Sequence, residues 1–574
     1  MNNKEIEKVL REIGIYLEMK DIPFKPRAFE RVADTINELN EEVNNIYKNG
    51  GIKAVKKIPG VGESIAGIIE ELIKKGKSKD YQRLQKEIPV KLSEFEFIEG
   101  VGPKTIKTLY KKLKIKNLKE LERATKSGKI RKLPGFGVKS ELNILKSIDF
   151  LKKSGGRFIR AYILNQIKEI ELGLNKLRET NKVIIAGSTR RKKETIGDVD
   201  ILVTSKNPKK VMDYFVNISG VLKIIAHGDT KSSIKLKNGL NVDLRVVPEK
   251  SYGAALNYFT GSKNHNIELR KLAMDKGLKL NEYGLFKDKK QIAGRNEKEI
   301  YEKLGLNYVE PELREMRGEL DLVKNNKLPK LIKVEDLKGD LHIHTDWSDG
   351  SLSIEEMANE GIKMGLEYMI ISDHSKGLTV ANGLNEKRFQ KQWKEIDKFN
   401  KKIKSKGIKF KLLKGIECDI LKDGSMDLSD KILSKFDIVG GSIHSLFNLS
   451  KIEQTKRIMK AMDNPHVDII NHLTGRLINR RDAYNIDIDK IISHAKKTKT
   501  ILEINSFPDR LDLKDDYIKK CVEGGVKIAI NSDAHATSHM HYLEFGVDQA
   551  RRGWVEKNNI INTWPLKKML KMLK

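Results

Sequence analysis

Asp198 and Asp200 alternate along residues 198–203, which read Asp-Val-Asp-Ile-Leu-Val. In a strand the side-chain period is two, so the two carboxylates share one face while Val199 and Ile201 point into a core. Just upstream, an apolar run at 183–186 leads into Gly187-Ser188-Thr189-Arg190-Arg191-Lys192-Lys193. A glycine turn that can approach phosphate, a basic cluster and two aligned carboxylates suit a magnesium-nucleotide site, because Mg²⁺ takes oxygen ligands and is usually shared between carboxylates and substrate phosphates. Residues 240–247 alternate again, after a Lys-Asn-Gly hairpin signal at 237–239, and place Asp243 on a neighbouring strand. Three carboxylates can bridge two metals roughly 4 Å apart, one at an attacking 3'-hydroxyl and one at the triphosphate and its leaving pyrophosphate.

A second set of chemistry-bearing residues fills the last 240 positions, where ten of the twelve histidines lie. Seven short apolar runs read as strands: 340–345, 368–372, 411–417, 438–444, 467–472, 501–505 and 527–533. At or just past their C-terminal ends stand His342, His344, Asp349, His374, Glu417, His444, His472, Asp533 and His535. Functional residues at strand C-termini are what a barrel of alternating strands and helices produces, since the loops there converge on one mouth. Six imidazoles and three carboxylates brought together would repel one another or go unsatisfied without cations. Such a set suits Zn²⁺, Mn²⁺ or Fe²⁺, and nine ligands can hold up to three ions if carboxylates bridge. Arg476 and Arg510 are candidate phosphate clamps.

These sets need scaffolds, and 574 residues allow three to five domains. The net charge of +32 is uneven: residues 1–330 hold 69 Lys and Arg against 44 Asp and Glu, the rest 42 against 35. The basic half is expected to meet a polyanion, with steep salt dependence and no sequence preference. Three Gly-x-Gly turns recur in the first 150 residues, Gly60 with Gly62, Gly100 with Gly102 and Gly135 with Gly137, each between amphipathic helical stretches. Their glycines allow backbone N–H groups at the start of the next helix to press on a DNA phosphate without reading bases. The charged stretch 1–11 shows no signal peptide, no apolar run is long enough for a membrane span, and Cys418 and Cys521 form no disulfide framework, so a reduced cytoplasmic protein is expected.

Residues 187–203 and 240–247 resemble the palm of family X DNA polymerases, the DNA polymerase beta-like nucleotidyltransferases. The resemblance implies that Asp198, Asp200 and Asp243 bind two Mg²⁺ ions, and it continues through residues 251–270 with the turn Tyr258-Phe259-Thr260-Gly261-Ser262. By it, Tyr258, Phe259 and Gly261 line the deoxyribose and leave no room for a 2'-hydroxyl. Asn266 and Arg270 face the base-pair edge and template, and Gly187, Ser188, Arg191 and Arg157 hold the triphosphate. The glycine turns resemble helix-hairpin-helix elements. One family trait is not matched: the helix after Gly62 has Ile68, with Ser64 one turn earlier, where animal members carry a Schiff-base lysine, so no lyase of that type is expected, and Lys74 and Lys75 read as solvated charges.

The nine-residue set resembles the PHP domain, the polymerase and histidinol phosphatase superfamily. The motifs His342-Ile343-His344, Ser348-Asp349-Gly350, Asp373-His374-Ser375, Gly415-Ile416-Glu417, Ser442-Ile443-His444-Ser445, His472 before Thr474-Gly475-Arg476, and Ser532-Asp533-Ala534-His535 fall in that family's order. All nine ligand positions are filled, which implies a working phosphoesterase.

The two resemblances imply a multidomain chain. An all-α helix-hairpin-helix region covers 1–85 and a second, thumb-like one 86–150. An α+β palm at 151–248, a fingers-like nucleotide-selecting segment at 249–321 and a linker at 322–336 follow. The C-terminal domain at 337–574 is an α/β distorted seven-stranded PHP barrel. Short-gap filling in DNA repair with a Mn²⁺- or Zn²⁺-dependent 3'-5' exonuclease is the implied function. The implied partners are gapped or nicked double-stranded DNA and dNTPs, with no membrane, and the chain is expected to be a monomer. Open alternatives are ribonucleotide addition, a non-catalytic DNA scaffold, or a phosphoesterase acting on a 3'-phosphate, an abasic-site end or a small phosphomonoester.

Overall fold

The computed structural model describes all residues except 2, 40, 96, 97, 99, 100, 154 and 155. Residues 1–153 are helical, and one hydrophobic cluster runs from Ile6 to Ile148 through the whole region. The described hairpin glycines face solvent, while the apolar partners of the turns are buried in the first two hairpins, with Ile58 and Val61 under Gly60 and Gly62 and Val101 beside Gly102, and half-buried in the third, at Leu133 and Phe136. Gly62 starts the helix Glu63–Lys75 and Gly102 starts Pro103–Leu113, where Pro103 is suited to a first turn whose N–H has no intrahelical partner. Gly60 and Gly135 hold φ of 81° and 83°, the left-handed region that a side chain penalises. Gly100 lies outside the described residues. Ile68 is a core residue of Glu63–Lys75, and Lys74 pairs with Glu70 at 2.9 Å on the solvent side.

The palm is a mixed five-stranded sheet of β1 (Thr180–Ile185), β2 (Asp198–Ser205), β3 (Val221–His227), β4 (Lys231–Leu236) and β5 (Asn241–Val246), in the order β1-β2-β5-β4-β3. The helices Arg160–Asn175 and Pro208–Val216 cover the face that buries Val199, Ile201 and Val203. Because β2 and β5 run parallel with Asp200 opposite Asp243, the pleat delivers both carboxylates to the same side.

The chain continues through the helices Tyr252–Thr260 and Lys263–Met274 and a three-stranded antiparallel sheet at 279–293. This segment is fastened to the palm by a buried charge network. Arg314, fully buried, donates to Val309 O at 2.9 Å and pairs with Glu297 at 2.5 Å, while Arg190 of the glycine turn pairs with the same carboxylate at 2.6 Å. Burial disfavours the charged Glu297, but Arg314 and Arg190 outweigh it and hold its pKa at about 2.

Seven strands, each parallel to the next, make the C-terminal barrel: β6 (Gly339–Asp340), β7 (Tyr368–Ile371), β8 (Lys411–Asp419), β9 (Ile438–Ser442), β10 (Ile469–Ile470), β11 (Ile501–Asn505) and β12 (Ile528–Asn531). The two edges meet past their strand ends, where His344 N donates to Ala534 O at 2.8 Å, so the barrel is nearly closed. The expected strand at 340–345 is shorter in the structure because two of its amides turn to side chains on the neighbouring strand's side, Ile343 N donating to Ser372 Oγ at 2.8 Å and Thr345 N to Asp373 Oδ1 at 2.7 Å, which leaves His344 N alone in a backbone bond. Residues 331–332 lie along 555–556, with Ile332 N donating to Val555 O at 3.0 Å, so the expected linker is packed against the barrel domain. Among the described residues no helix is long and apolar enough to cross a membrane.

Arg314→Leu leaves the buried Glu297 with Arg190 as its remaining guanidinium partner. It is expected to destabilise this segment by about 3–5 kcal/mol, read as an earlier first transition in urea unfolding; an unchanged profile would show that the network carries no stability.

Candidate active sites

At the palm, Asp198 lies exposed at the start of β2, and Asp200 and Asp243 stand half-buried beside each other. Gly187 closes over them: it holds φ of 61°, and a Cβ there would meet Asp200 Oδ2 at 2.5 Å. Burial, then Asp198 and Asp243, push the Asp200 carboxyl up to about 6. Lys231 Nζ on β4 stands 3.1 Å from Asp243 and partly offsets the clustered charge. An oxygen-only donor set that resists sharing its own negative charge fits a hard divalent cation.

Around this triad the structure gathers most of the expected nucleotide contacts. Ser188 is in the turn with Gly187, and Arg191 follows it, with Nε 2.9 Å from Glu315 and Nη1 donating to Thr260 O at 2.8 Å. The Tyr258 and Phe259 rings meet edge-on at 5.1 Å, and the Arg245 guanidinium lies 4.7 Å over Phe259. Asn266 Nδ2 donates to Tyr258 O at 2.6 Å, and Arg270 Nε donates to Asn266 O at 3.2 Å. Gly261 needs to be glycine for space, since a Cβ there would meet Asn266 Oδ1 at 2.3 Å. Arg157 is held by Thr195, with Nη1 3.4 Å from where a Cβ would stand on Gly197 beside Asp198, and it also lines a 370 Å³ cavity at the junction with the barrel domain.

At the barrel mouth all nine expected residues come together. Glu417, at the end of β8, is the hub, with His342 at 3.3 Å, His344 at 3.4 Å, His374 at 3.0 Å, His444 at 3.3 Å and His472 at 2.7 Å from its oxygens. Asp533 faces His342 and His344 at 3.5 and 3.4 Å, while Asp349 faces His374 and His535, both at 3.5 Å. Three groups of donors are close enough to hold an ion each: His344 with Asp349, His374 and His535; His342 with His344 and Asp533; and His374 with Glu417 and His444.

Four buried ring nitrogens, His342 Nε2, His344 Nδ1 and Nε2 and His374 Nδ1, have no hydrogen-bond partner, an arrangement that a bound cation resolves. Burial, with His535 and His374, holds His344 down at about 3, so its ring stays neutral and free to ligate. His374 is lowered by burial, but Glu417 and Asp349 outweigh this and lift it to about 10. Two of the nine residues sit in strained backbone, His472 at φ 25° and Asp533 at φ 54°.

Residues behind the ligands orient them, and local spacing gave no sign of them. Glu503 Oε1 lies 2.7 Å from His342 Nδ1, and the same carboxylate accepts from His472 N at 2.7 Å and from Asn531 Nδ2 at 2.9 Å. Asp419 Oδ1 lies 2.5 Å from His444 Nδ1. Such second partners fix the ring orientation and raise ligand basicity. Of the two candidate clamps, Arg510 reaches the site, with Nε 3.4 Å from Asp533. Arg476 is turned away and pairs with Glu194 of the palm at 2.6 Å.

Comparison with known proteins adds the family. The chain matches a DNA polymerase beta palm model at 160–254 and a DNA polymerase beta thumb model at 255–315. A DNA polymerase/3'-5' exonuclease PolX of Bacillus subtilis (strain 168) is 39% identical over 579 residues, covering 100% of each chain. The chain belongs to the family X DNA polymerases. Its other matches are a helix-hairpin-helix domain at 1–78, a SAM-like helix-hairpin-helix tandem at 92–149 and a PHP domain at 340–507. A probable phosphatase of Thermoanaerobacter sp. (strain X514) is 34% identical over 235 residues, 39% of this chain and 89% of its own length. In family terms the segment read from sequence as fingers-like carries the thumb description.

Metal binding at the barrel has to displace protons, since His374 is protonated at neutral pH while unligated and an imidazole must be neutral to ligate. Affinity therefore rises with pH up to about 10, and at the palm it weakens as the pH falls through about 6, where Asp200 takes up its proton. Calorimetric titration with Mn²⁺ in two buffers of different ionisation enthalpy counts the released protons; a buffer-independent heat would contradict this account.

Proposed function

We propose that the palm extends a DNA primer from deoxynucleoside triphosphates across short gaps, and that the barrel removes nucleotides from a 3' end. The observation that carries the reading is the presence, on one family X chain, of a three-carboxylate palm site and a barrel mouth with all nine donors in place. Divalent cations, Mg²⁺ at the palm and Mn²⁺ or Zn²⁺ (up to three ions) at the barrel, supply Lewis acidity and lower the pKa of the attacking hydroxyl or water.

The chain's own groups do the rest. Asp198, Asp200 and Asp243 gather negative charge where the primer's 3'-hydroxyl loses its proton. Gly187, Ser188 and Arg191 receive the triphosphate, the helix Gly187–Arg190 turning backbone N–H groups toward it. Tyr258, Phe259 and Gly261 lie along the sugar and exclude a 2'-hydroxyl. Asn266 and Arg270 flank the base pair. At the barrel, Arg510 beside Asp533 is placed to meet a phosphate oxygen, and Glu503 and Asp419 keep His342 and His444 aimed at the mouth.

The DNA is gapped or nicked duplex, gripped through its backbone at Gly60, Gly62, Gly102, Gly135 and Gly137, and the chain works as a cytoplasmic monomer. Support for the grip comes from the open space at Gly62, Gly102, Gly135 and Gly137, where an added Cβ would meet nothing within 4 Å. A 360 Å³ cavity between the second and third hairpins, lined by Lys104, Thr105, Thr108 and Gly135, offers a further basic, hydroxyl-bearing surface.

A 5'-labelled primer in a one-nucleotide gap separates the two activities. Asp198→Ala is expected to abolish extension and keep 3' shortening, and His344→Ala to do the reverse; shortening that survives His344→Ala would remove the barrel from the exonuclease role. Gly187→Ala, whose Cβ would displace Asp200, is expected to lower extension at least a hundredfold, on the order of 3 kcal/mol, without changing shortening. Wild-type extension by Gly187→Ala would place the turn outside the nucleotide site.

A further inference from the structure

The loop after Ser188 is gripped by the barrel domain. Arg552, the last residue of the helix Leu543–Arg552 and 4% exposed, donates from Nη1 to the carbonyl of Arg191 at 2.8 Å and lies 3.0 Å from Glu315 Oε1. That same Glu315 oxygen accepts from Arg191 Nε at 2.9 Å. Arg552 Nη2 is anchored in its own domain on Asp515 at 2.6 Å, and its backbone oxygen accepts from Arg317 Nη2 at 2.6 Å. The contacts extend along the loop: Lys192 Nζ stands 3.5 Å from Asp548, and Glu194 accepts from Arg476 at 2.6 Å and from Gln549 at 3.1 Å.

A planar guanidinium with a fixed fork is suited to such a bridge, and a lysine is not. Both ends of the fork are committed: Nη2 to the barrel domain, Nη1 to the main chain of Arg191 and to the carboxylate that holds the Arg191 side chain. Thr260 O takes Arg191 Nη1, so the remaining Nη2 has its direction set by Glu315 and Thr260. The Arg191 main chain and the carboxylate that holds its side chain are thus both bonded to one residue of the barrel domain.

We propose that Arg552 is a positioning residue for the polymerase site, fixing Arg191 through Glu315 and thereby setting the affinity for the incoming triphosphate. This rests on the reading that Arg191 contacts the triphosphate. Arg552 itself touches neither substrate nor metal. The barrel domain therefore contributes to nucleotide binding by the palm independently of its own hydrolytic chemistry.

Steady-state single-nucleotide gap filling by the full chain tests this. Arg552→Gln is expected to raise KM for the dNTP about tenfold, the weight of one charge-assisted hydrogen bond, with a smaller change in kcat and with 3' shortening retained as evidence of folding. The double variant with Arg191→Gln is expected to show no further rise beyond Arg191→Gln alone, since both act through one contact. Arg551→Gln, on the same helix but bonded to Glu312 and to Ile332 O, is expected to keep the wild-type KM, which separates positioning from general loosening of the interface. If Arg552→Gln does not fold, Glu315→Gln removes the shared carboxylate and is expected to raise KM equally. A wild-type KM in Arg552→Gln, or in Glu315→Gln where that variant is used, or additive effects with Arg191→Gln, would overturn the proposal while leaving the Arg191 reading intact. An unchanged KM in Arg191→Gln would instead remove that reading, and the proposal with it.

Discussion

Five imidazoles surround one buried carboxylate, Glu417, and in the metal-free chain its charge is met by those rings themselves, His374 taking up a proton 3.0 Å away. Buried ionisable groups are costly unless paired and hydrogen-bonded, and here the pairing is incomplete, since four ring nitrogens of His342, His344 and His374 make no hydrogen bond even where Glu417 lies close. The same imbalance recurs in smaller form at the palm, where three carboxylates share one face and one of them is driven toward protonation. Both sites are built at a cost to the metal-free chain that divalent cations remove. The strained backbone at His472 and Asp533 and the tight approach of Gly187 to Asp200 are tolerated because the surrounding strands hold them rigidly.

That constraint explains the architecture. A parallel barrel brings residues from six strand ends or their following loops to one mouth, and a mixed sheet with parallel β2 and β5 aligns Asp200 with Asp243. Each scaffold then has to be held still. In the palm this falls to buried guanidinium–carboxylate pairs, Arg314 and Arg190 on Glu297 and Arg191 on Glu315, and in the barrel to Glu503 and Asp419 behind the ligand rings. Where the two scaffolds touch, the pairs cross the boundary. Arg160 meets Asp548 at 2.5 Å, Tyr162 donates to Asp509 at 2.6 Å, and Ile159 packs with Ile478, Leu511 and Phe545. The palm and barrel domains are joined by a buried, charged and apolar contact as well as through the intervening segment that carries the thumb description.

The chemistry-bearing residues were legible in the sequence because their spacing is local: the alternation of Asp198 and Asp200 and the doublet of His342 and His344 follow from period-two geometry, and a candidate donor stands at or just past six of the seven strand ends. The seven barrel strands were legible for the same reason, though the first was overextended, since apolar alternation at 341–345 cannot tell a ladder from a backbone bonded to Ser372 and Asp373. The supporting residues were not legible. Glu297, Arg314, Glu315, Glu503 and Arg552 are ordinary charged residues in sequence, and their roles arise from partners up to several hundred positions away. Arg476 shows the opposite case: its place beside a ligand motif made it a candidate phosphate clamp, but the packing of the palm on the barrel, which the sequence does not show, supplies Glu194 as its partner.

The most direct test of cation-assembled sites on one chain is anomalous scattering from crystals of the full-length protein soaked in Mn²⁺. The account predicts peaks at two separate places, one among Asp198, Asp200 and Asp243 and a cluster around Glu417 within reach of His342, His344, His374 and His444. A well-ordered barrel mouth with no peak near Glu417 at millimolar Mn²⁺ or Zn²⁺ would contradict it.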